Sequence, residues 1–159
     1  MAPGISNYDS QKIMSDLLTG PHLAMAVFCE KVLKENDGVM SFIRIVDRIT
    51  FAMPSASATP PALPLFVVLM FKAGDAKGTF SISLRAIGPS GQQIGTIEMP
   101  VLFEGEDRGA NVVLQLSFQP VEEGLHWFDV LVDGQRVTRI PLRALYQTIS
   151  VTGAGPASG

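Results

Sequence analysis

The sequence is poor in the residues that usually announce chemistry, with one cysteine, one tryptophan and two histidines among 159 residues. Cys29 is alone, so no internal disulfide can form, and with neither a CxxC partner nor a neighbouring histidine it does not begin a zinc site. Within the apolar segment 23–33 it reads as a small core residue. His22 and His126 are each far from a second strong ligand or a nucleophile, which leaves histidine-based catalysis unsupported, and no cofactor is expected. No Gly-rich phosphate loop precedes a helix, and GxSxG, HExxH and the EF-hand loop are missing, so the common motif-bearing enzyme classes lack their signatures.

Charge is also scarce. Only 17% of residues are Asp, Glu, Lys or Arg, against about 25% in an ordinary soluble domain, and the balance is −3 with a pI near 5.3. The basic excess that a phosphate backbone demands is absent, so nucleic acid is not an expected partner. Leu63 to Phe71, the longest apolar run, contains Pro64 and falls far short of the roughly 20 residues of a membrane-spanning helix, so no membrane partner is expected. The opening residues carry neither a cationic nor an apolar signal region, and a cytoplasmic location is expected.

What is present is apolar sequence in short runs. With 47% hydrophobic residues and a mean hydropathy of +0.28, the chain can bury the core of one domain, and its low charge points to apolar surface covered by a partner. Residues 1–20 read as an N-terminal arm, in which Asn7 or Asp9 caps a short helix with Ile13, Met14, Leu17 and Leu18 on one stripe, ended by Gly20-Pro21. Residues 21–147 read as about eight strands bounded by Gly, Pro, Asn and Asp, at 22–33, 39–52, 64–73, 79–87, 93–103, 111–119, 125–132 and 136–146. The expected fold is all-β, an antiparallel two-sheet sandwich, immunoglobulin-like or related. Residues 148–159, rich in glycine, read as a flexible tail.

Alternation in 79–87 and 111–119 predicts strands with one wet face. The run Leu65 to Phe71 has no polar side, so both faces need cover, one from the core and the other from the arm or another subunit. The uncharged segment 54–64, with four prolines, predicts a semi-rigid crossover between sheets.

Asp37-Gly38 and Asp133-Gly134 are hairpin signals. In the second hairpin a three-residue loop gives the more apolar inner face, and it pairs Trp127 with Pro141, Asp129 with Arg139 and Leu131 with Val137 on the opposite face, a candidate interaction surface. In the first, the three-residue loop Asn36-Asp37-Gly38 sets Glu30 against Arg44 and gathers Val27, Cys29, Ile43 and Ile45. The 39–52 run exceeds the usual strand length, which predicts a bulge or bend near Asp47. Glu30, Arg44, Asp47 and Arg48 form the densest mixed-charge cluster and read as a structural ion-pair network. Glu104, Glu106 and Asp107 offer the one weak calcium site, with Arg108 beside them as counter-charge.

The stretch Phe28-Cys-Glu-Lys-Val-Leu, continuing through Asp37-Gly-Val-Met-Ser-Phe-Ile-Arg-Ile-Val-Asp-Arg48, together with Gly124 to Gly134 and Arg139 to Arg143, resembles an uncharacterised bacterial domain family over residues 22–146. The resemblance implies a bacterial β-sandwich and no catalytic residue. The function expected is a non-catalytic interaction or assembly module, a homo-oligomer or one with a protein partner, and the alternative is a small-ligand or carbohydrate-binding module. An enzyme working through the Glu30 cluster ranks third.

Overall fold

The computed structural model describes residues 10, 11 and 19–150. The helix expected in the N-terminal arm falls mainly outside these residues, as does most of the tail. Nine strands follow in order: β1 His22–Lys34, β2 Met40–Val46, β3 Arg48–Met53, β4 Leu63–Lys72, β5 Lys77–Ile87, β6 Gln93–Glu104, β7 Gly109–Phe118, β8 Gly124–Val132 and β9 Gln135–Thr148. They form a four-stranded sheet, β2-β1-β4-β7, and a five-stranded sheet, β3-β9-β8-β5-β6. No helix among the described residues is long and apolar enough to cross a membrane.

The expected count of eight strands becomes nine because the 39–52 run is two strands in different sheets. The bend anticipated near Asp47 is where the chain leaves β2 and enters β3. This crossing also corrects the expectation of a wholly antiparallel fold, since β3 lies parallel to β9, from Arg48 opposite Arg143 to Met53 opposite Thr148. A chain that turns the corner of a sandwich arrives on the second sheet with its direction set by the first, and here that direction matches β9. The proline-rich segment then carries the chain back from β3 to β4.

The core lies between the sheets. Leu65, Val67, Leu69 and Phe71 of β4, with Phe28 of the adjacent β1, face Ile82, Leu84, Phe128, Val130 and Leu142 in one buried cluster, as the period of two in a strand requires. Phe28 and Phe128, from opposite sheets, meet edge to face with centroids 4.8 Å apart, and Phe118 joins Phe128 at 6.3 Å. At the other end Phe71 and Phe80 both pack on Phe103.

The first hairpin has the expected loop. Cys29 pairs with Ile45 and Lys31 with Ile43, the Glu35 N–H donates to the Val39 carbonyl across Asn36-Asp37-Gly38, and Gly38 takes φ 86°, where a side chain would be strained. The second hairpin corrects one detail. Trp127 with Pro141 and Asp129 with Arg139 pair as expected, but the register shifts between Val130 and Leu131, so Leu131 faces Arg136 rather than Val137. The loop is the two residues Asp133 and Gly134, at φ 47° and 80°, which suit the tight turn whose twist matches a hairpin. The odd residue is absorbed by a bulge in β9 beside Val137 instead of by the turn.

Candidate functional site

The outward side of the five-stranded sheet is built around one carboxylate. Arg85 of β5, Asp129 of β8 and Arg139 of β9 stand directly opposite one another across three adjacent strands, so a single rung places Asp129 between two guanidinium groups. Arg139 grips it with both arms of its fork, Nε to Oδ1 at 2.5 Å and Nη2 to Oδ2 at 3.1 Å, and Arg85 Nη2 donates to Oδ2 at 3.2 Å. Arg136 adds a fourth contact at 3.8 Å. The Arg139 hydrogen bonds, outweighing the cost of removing the carboxylate from water, hold its pKa below the ordinary Asp value, and the same contact raises that of Arg139. Asp129 is 1% exposed, covered by the arginines that pair with it.

The other residues of the expected interaction surface divide. Trp127 is half-buried one rung away, with the Arg139 guanidinium carbon 5.6 Å from its ring centroid, a cation–π stack. Pro141 is half-buried beside it, Leu131 is buried, and Val137 is exposed at the bulge. An open aromatic-and-aliphatic patch is therefore not formed here, because the arginines close over its centre. Arg85 and Arg136 were not anticipated in this group. Arg136 lies near Asp129 only through the bulge, and Arg85 only through the pairing of β5 with β8, for which no local turn gives a signal.

Of the mixed-charge cluster, Glu30 and Arg44 are brought together at 2.7 Å in an exposed ion pair. Arg44 has φ 55°. Asp47 sits at the corner between β2 and β3, where its carbonyl accepts the Arg143 N–H, and neither Asp47 nor Arg48 forms an ion pair among the described residues. The four residues thus do not make one acid–base site. On the β6–β7 turn, Arg108 reaches Glu104 at 3.3 Å and Glu106 at 3.6 Å, and among the described residues no three carboxylate, histidine or cysteine groups gather as a metal site. Added calcium is expected to leave the melting temperature unchanged, and a rise of several degrees in a thermal melt would overturn that expectation.

Cys29 is fully buried, as expected, but on the outward side of the four-stranded sheet, and desolvation raises its thiol pKa. Val68 of β4 is buried on the same side, while Ile43, Ile45 and Val113 around them are exposed, Ile45 to 58%. His126 is buried with Nδ1 3.2 Å from the Gly124 carbonyl and Nε2 without a partner. Burial lowers its pKa, and its ring meets Phe118 edge to face with centroids 5.3 Å apart.

A groove of about 400 Å³ opens where β6 and β7, each the last strand of its sheet, diverge. Ile94 to Ile97 form one lip and Gln115 to Gln119 the other, and Phe28, Leu84 and Phe128 form the floor. Groove sites of this kind are apolar with a few polar groups at the rim. Strand patterns alone do not reveal it, because it depends on which strands end as neighbours across the two sheets.

The profile of a Family of unknown function (DUF6941) matches residues 24–145. No curated protein matches. Among solved structures, an alkylpurine DNA glycosylase, AlkC, from Pseudomonas fluorescens, bound to DNA containing an abasic site analog, is similar at TM-score 0.44 and 9% identity over 87% of this chain and 33% of its own. A beta-glucosidase from Listeria innocua in complex with glucose aligns at TM-score 0.46 and 11% identity, with 79% of this chain covering 16% of that one. An immunoglobulin-like protein from Pseudomonas aeruginosa aligns at TM-score 0.42 and 13% identity over 80% and 98% of the two chains. This chain thus spans a third or less of the length of the two enzymes.

Proposed function

We propose that the chain, which belongs to the DUF6941 family of unknown function, is a non-catalytic protein-interaction or assembly module of the bacterial cytoplasm. The observation that carries this reading is the outward side of the four-stranded sheet. An antiparallel sheet with a wet face ordinarily alternates apolar and polar residues, yet here Ile43 and Ile45 of β2, Phe66 and Met70 of β4 and Val113 of β7 lie on the side away from the core. Of these, Ile43, Ile45 and Val113 are exposed, and apolar side chains left open on a sheet face are what a protein partner covers.

The test is the mass of the whole chain in solution. Light scattering at micromolar concentration is expected to report a species larger than 17.1 kDa, and a monomer at every concentration overturns the reading. Trp127→Ala probes the opposite sheet. It is expected to leave the monomer folded and the association of the other sheet unchanged, since the lost Arg139 stack is worth only about 0.5–1 kcal/mol at a partly exposed site. A variant that unfolds in a circular-dichroism melt at room temperature would make Trp127 a core residue instead.

A small-ligand module is the second reading, favoured by the groove between β6 and β7. Its carbohydrate form is less favoured, because the ring pairs Phe28–Phe128 and Phe118–Phe128 are crossed at 68° and 61° and offer no coplanar platform for a sugar.

A further inference from the structure

The two sheets differ in width. Four strands face five, β5 stands opposite β7, and β6 reaches past the end of the smaller sheet with no strand opposite it. Near the turn that joins β6 to β7, Phe103 of β6 packs on Phe71 and closes the space between the sheets. Toward the other end the two strands part, and the space beneath β6 is the groove, bounded by Gln115 to Gln119 on one side and Ile94 to Ile97 on the other. What this end lacks is one strand, beside β7 and under β6.

The edge of β7 is open to pairing in a way that the other three rims are not. β2 carries the charged Arg44 in a left-handed conformation, β3 has six residues and starts at Arg48, and β6 contains Glu98 and Pro100 with a register shift near Gln93. Charge, proline, bulges and shortness protect a free edge. β7 has no charge and no proline, and it pairs with β4 in unbroken register. Among the described residues it pairs with β4 alone, so alternate residues turn N–H and C=O to the open side. The packing beside it is also unfinished: Leu114 and Leu116 point inward yet are half-buried, and across the groove Ile94 and Ile97 are 43% and 41% exposed.

We propose that the edge of β7 from Val112 to Phe118 takes one extended peptide strand of a protein partner, uncharged and apolar at alternate positions, which lies under β6 as the fifth strand of the smaller sheet. This goes beyond the assembly reading, which concerns the outward side of that sheet. Three features select a single strand. The slot is one strand wide, because paired strands lie about 4.8 Å apart and β6 alone lacks a strand opposite; a folded domain brought to this edge would meet β6. The main-chain groups of β7 supply the affinity of such strand addition, and pockets for alternate side chains supply its specificity. No residue lining the groove is charged, so every second side chain of the peptide can rest on Phe28, Leu84 and Phe128, whereas a charged one would lose its water with no partner. The chain's own C-terminal side is placed elsewhere, since the Ile149 N–H bonds to Met53 of β3 at the far rim of the larger sheet.

The experiment titrates the full chain with the end-blocked peptide Lys-Thr-Val-Thr-Leu-Thr-Val-Thr-Lys and follows hydrogen–deuterium exchange. Saturable binding tighter than about 1 mM is expected, with the open-side amides of residues 112–118 exchanging about tenfold or more slower in the complex. Two further peptides, N-methylated at the odd or at the even amides, keep every side chain and each lose the donors of one side. One is expected to bind as before and the other at least tenfold more weakly, because a strand pairs with β7 through one side only. Ile94→Lys with Ile97→Lys changes exposed residues on the opposite lip and is expected to raise the dissociation constant at least tenfold with the melt of the free chain unchanged. Absence of binding, binding that leaves β7 amides unprotected, or β7 amides already protected without peptide overturns the proposal. Equal binding by both N-methylated peptides also overturns it and assigns the groove to apolar filling by a small ligand. None of these failures touches the assembly reading, whose test is the mass of the chain.

Discussion

Replacing Asp129 by alanine is expected to lower the unfolding free energy at pH 7 by about 2–3 kcal/mol, near the value of hydrogen bonds to a charged group. The carboxylate is 1% exposed and bonded to Arg139 and Arg85. Removing one partner of a fully buried pair costs roughly 3–5 kcal/mol, but the stranded cations here can reach water, since the Arg85, Arg139 and Arg136 side chains are 36%, 37% and 52% exposed. That access holds the loss to the lower figure. The variant should also change the acid limb. The folded-state pKa of Asp129 lies below its unfolded value, so its contribution is fully present above the unfolded pKa of about 3.9 and disappears as pH falls through the folded one. Urea denaturation at pH 7 and at successively lower pH checks both points: the variant should lose most at pH 7, and its gap to the wild type should narrow progressively as pH falls below the unfolded value. A loss below about 0.5 kcal/mol at pH 7 would mean that the pairing adds no more than an ordinary surface bridge.

The same rung shows how far the sequence can be read. Asp129 against Arg139 and Glu30 against Arg44 are legible because each pair belongs to a hairpin, whose turn sets the register over a short distance in sequence. The bend at Asp47 is legible from strand length and a carboxylate on an apolar side. Arg85 is not, because β5 meets β8 through a pairing 44 residues apart, and nothing in either strand names the other. The parallel β3–β9 pair and the β6–β7 groove are hidden for the same reason, since both depend on the order of strands within sheets. The bulge beside Val137 is hidden on different grounds: an extra residue can sit in the turn or in the strand, and both choices restore the same register two residues further on. Cys29 shows the limit of burial as a sequence reading. Its burial was legible, but the side of the sheet on which it is buried follows from the position of β1 between β2 and β4.

Phe128→Ala is expected to be the most damaging of the single substitutions considered, at about 3–4 kcal/mol, within the usual range for a buried phenylalanine. Phe128 joins the two sheets, edge to face with Phe28 at 4.8 Å and with Phe118 at 6.3 Å, and Phe118 in turn packs on His126 and Phe51. Truncation removes the middle ring of this series and leaves a void. The void would not be closed, because Phe128 also forms part of the groove floor between β6 and β7. Water can enter a cavity that opens to the surface, which limits the penalty and keeps the estimate below the top of the range. For a domain of this size a loss of about 3 kcal/mol corresponds to a fall in melting temperature of roughly 6–12 °C. Phe128→Leu should cost clearly less, because it keeps an apolar filling and loses mainly the ring contacts, commonly about 0.5–1.5 kcal/mol per aromatic pair. If calorimetry instead finds the alanine and leucine variants equally destabilised, the ring geometry and not the filled volume governs this part of the core. If the alanine variant loses less than about 1 kcal/mol, the sheets are held mainly at the Phe71–Phe103–Phe80 end, and the groove end is free to open.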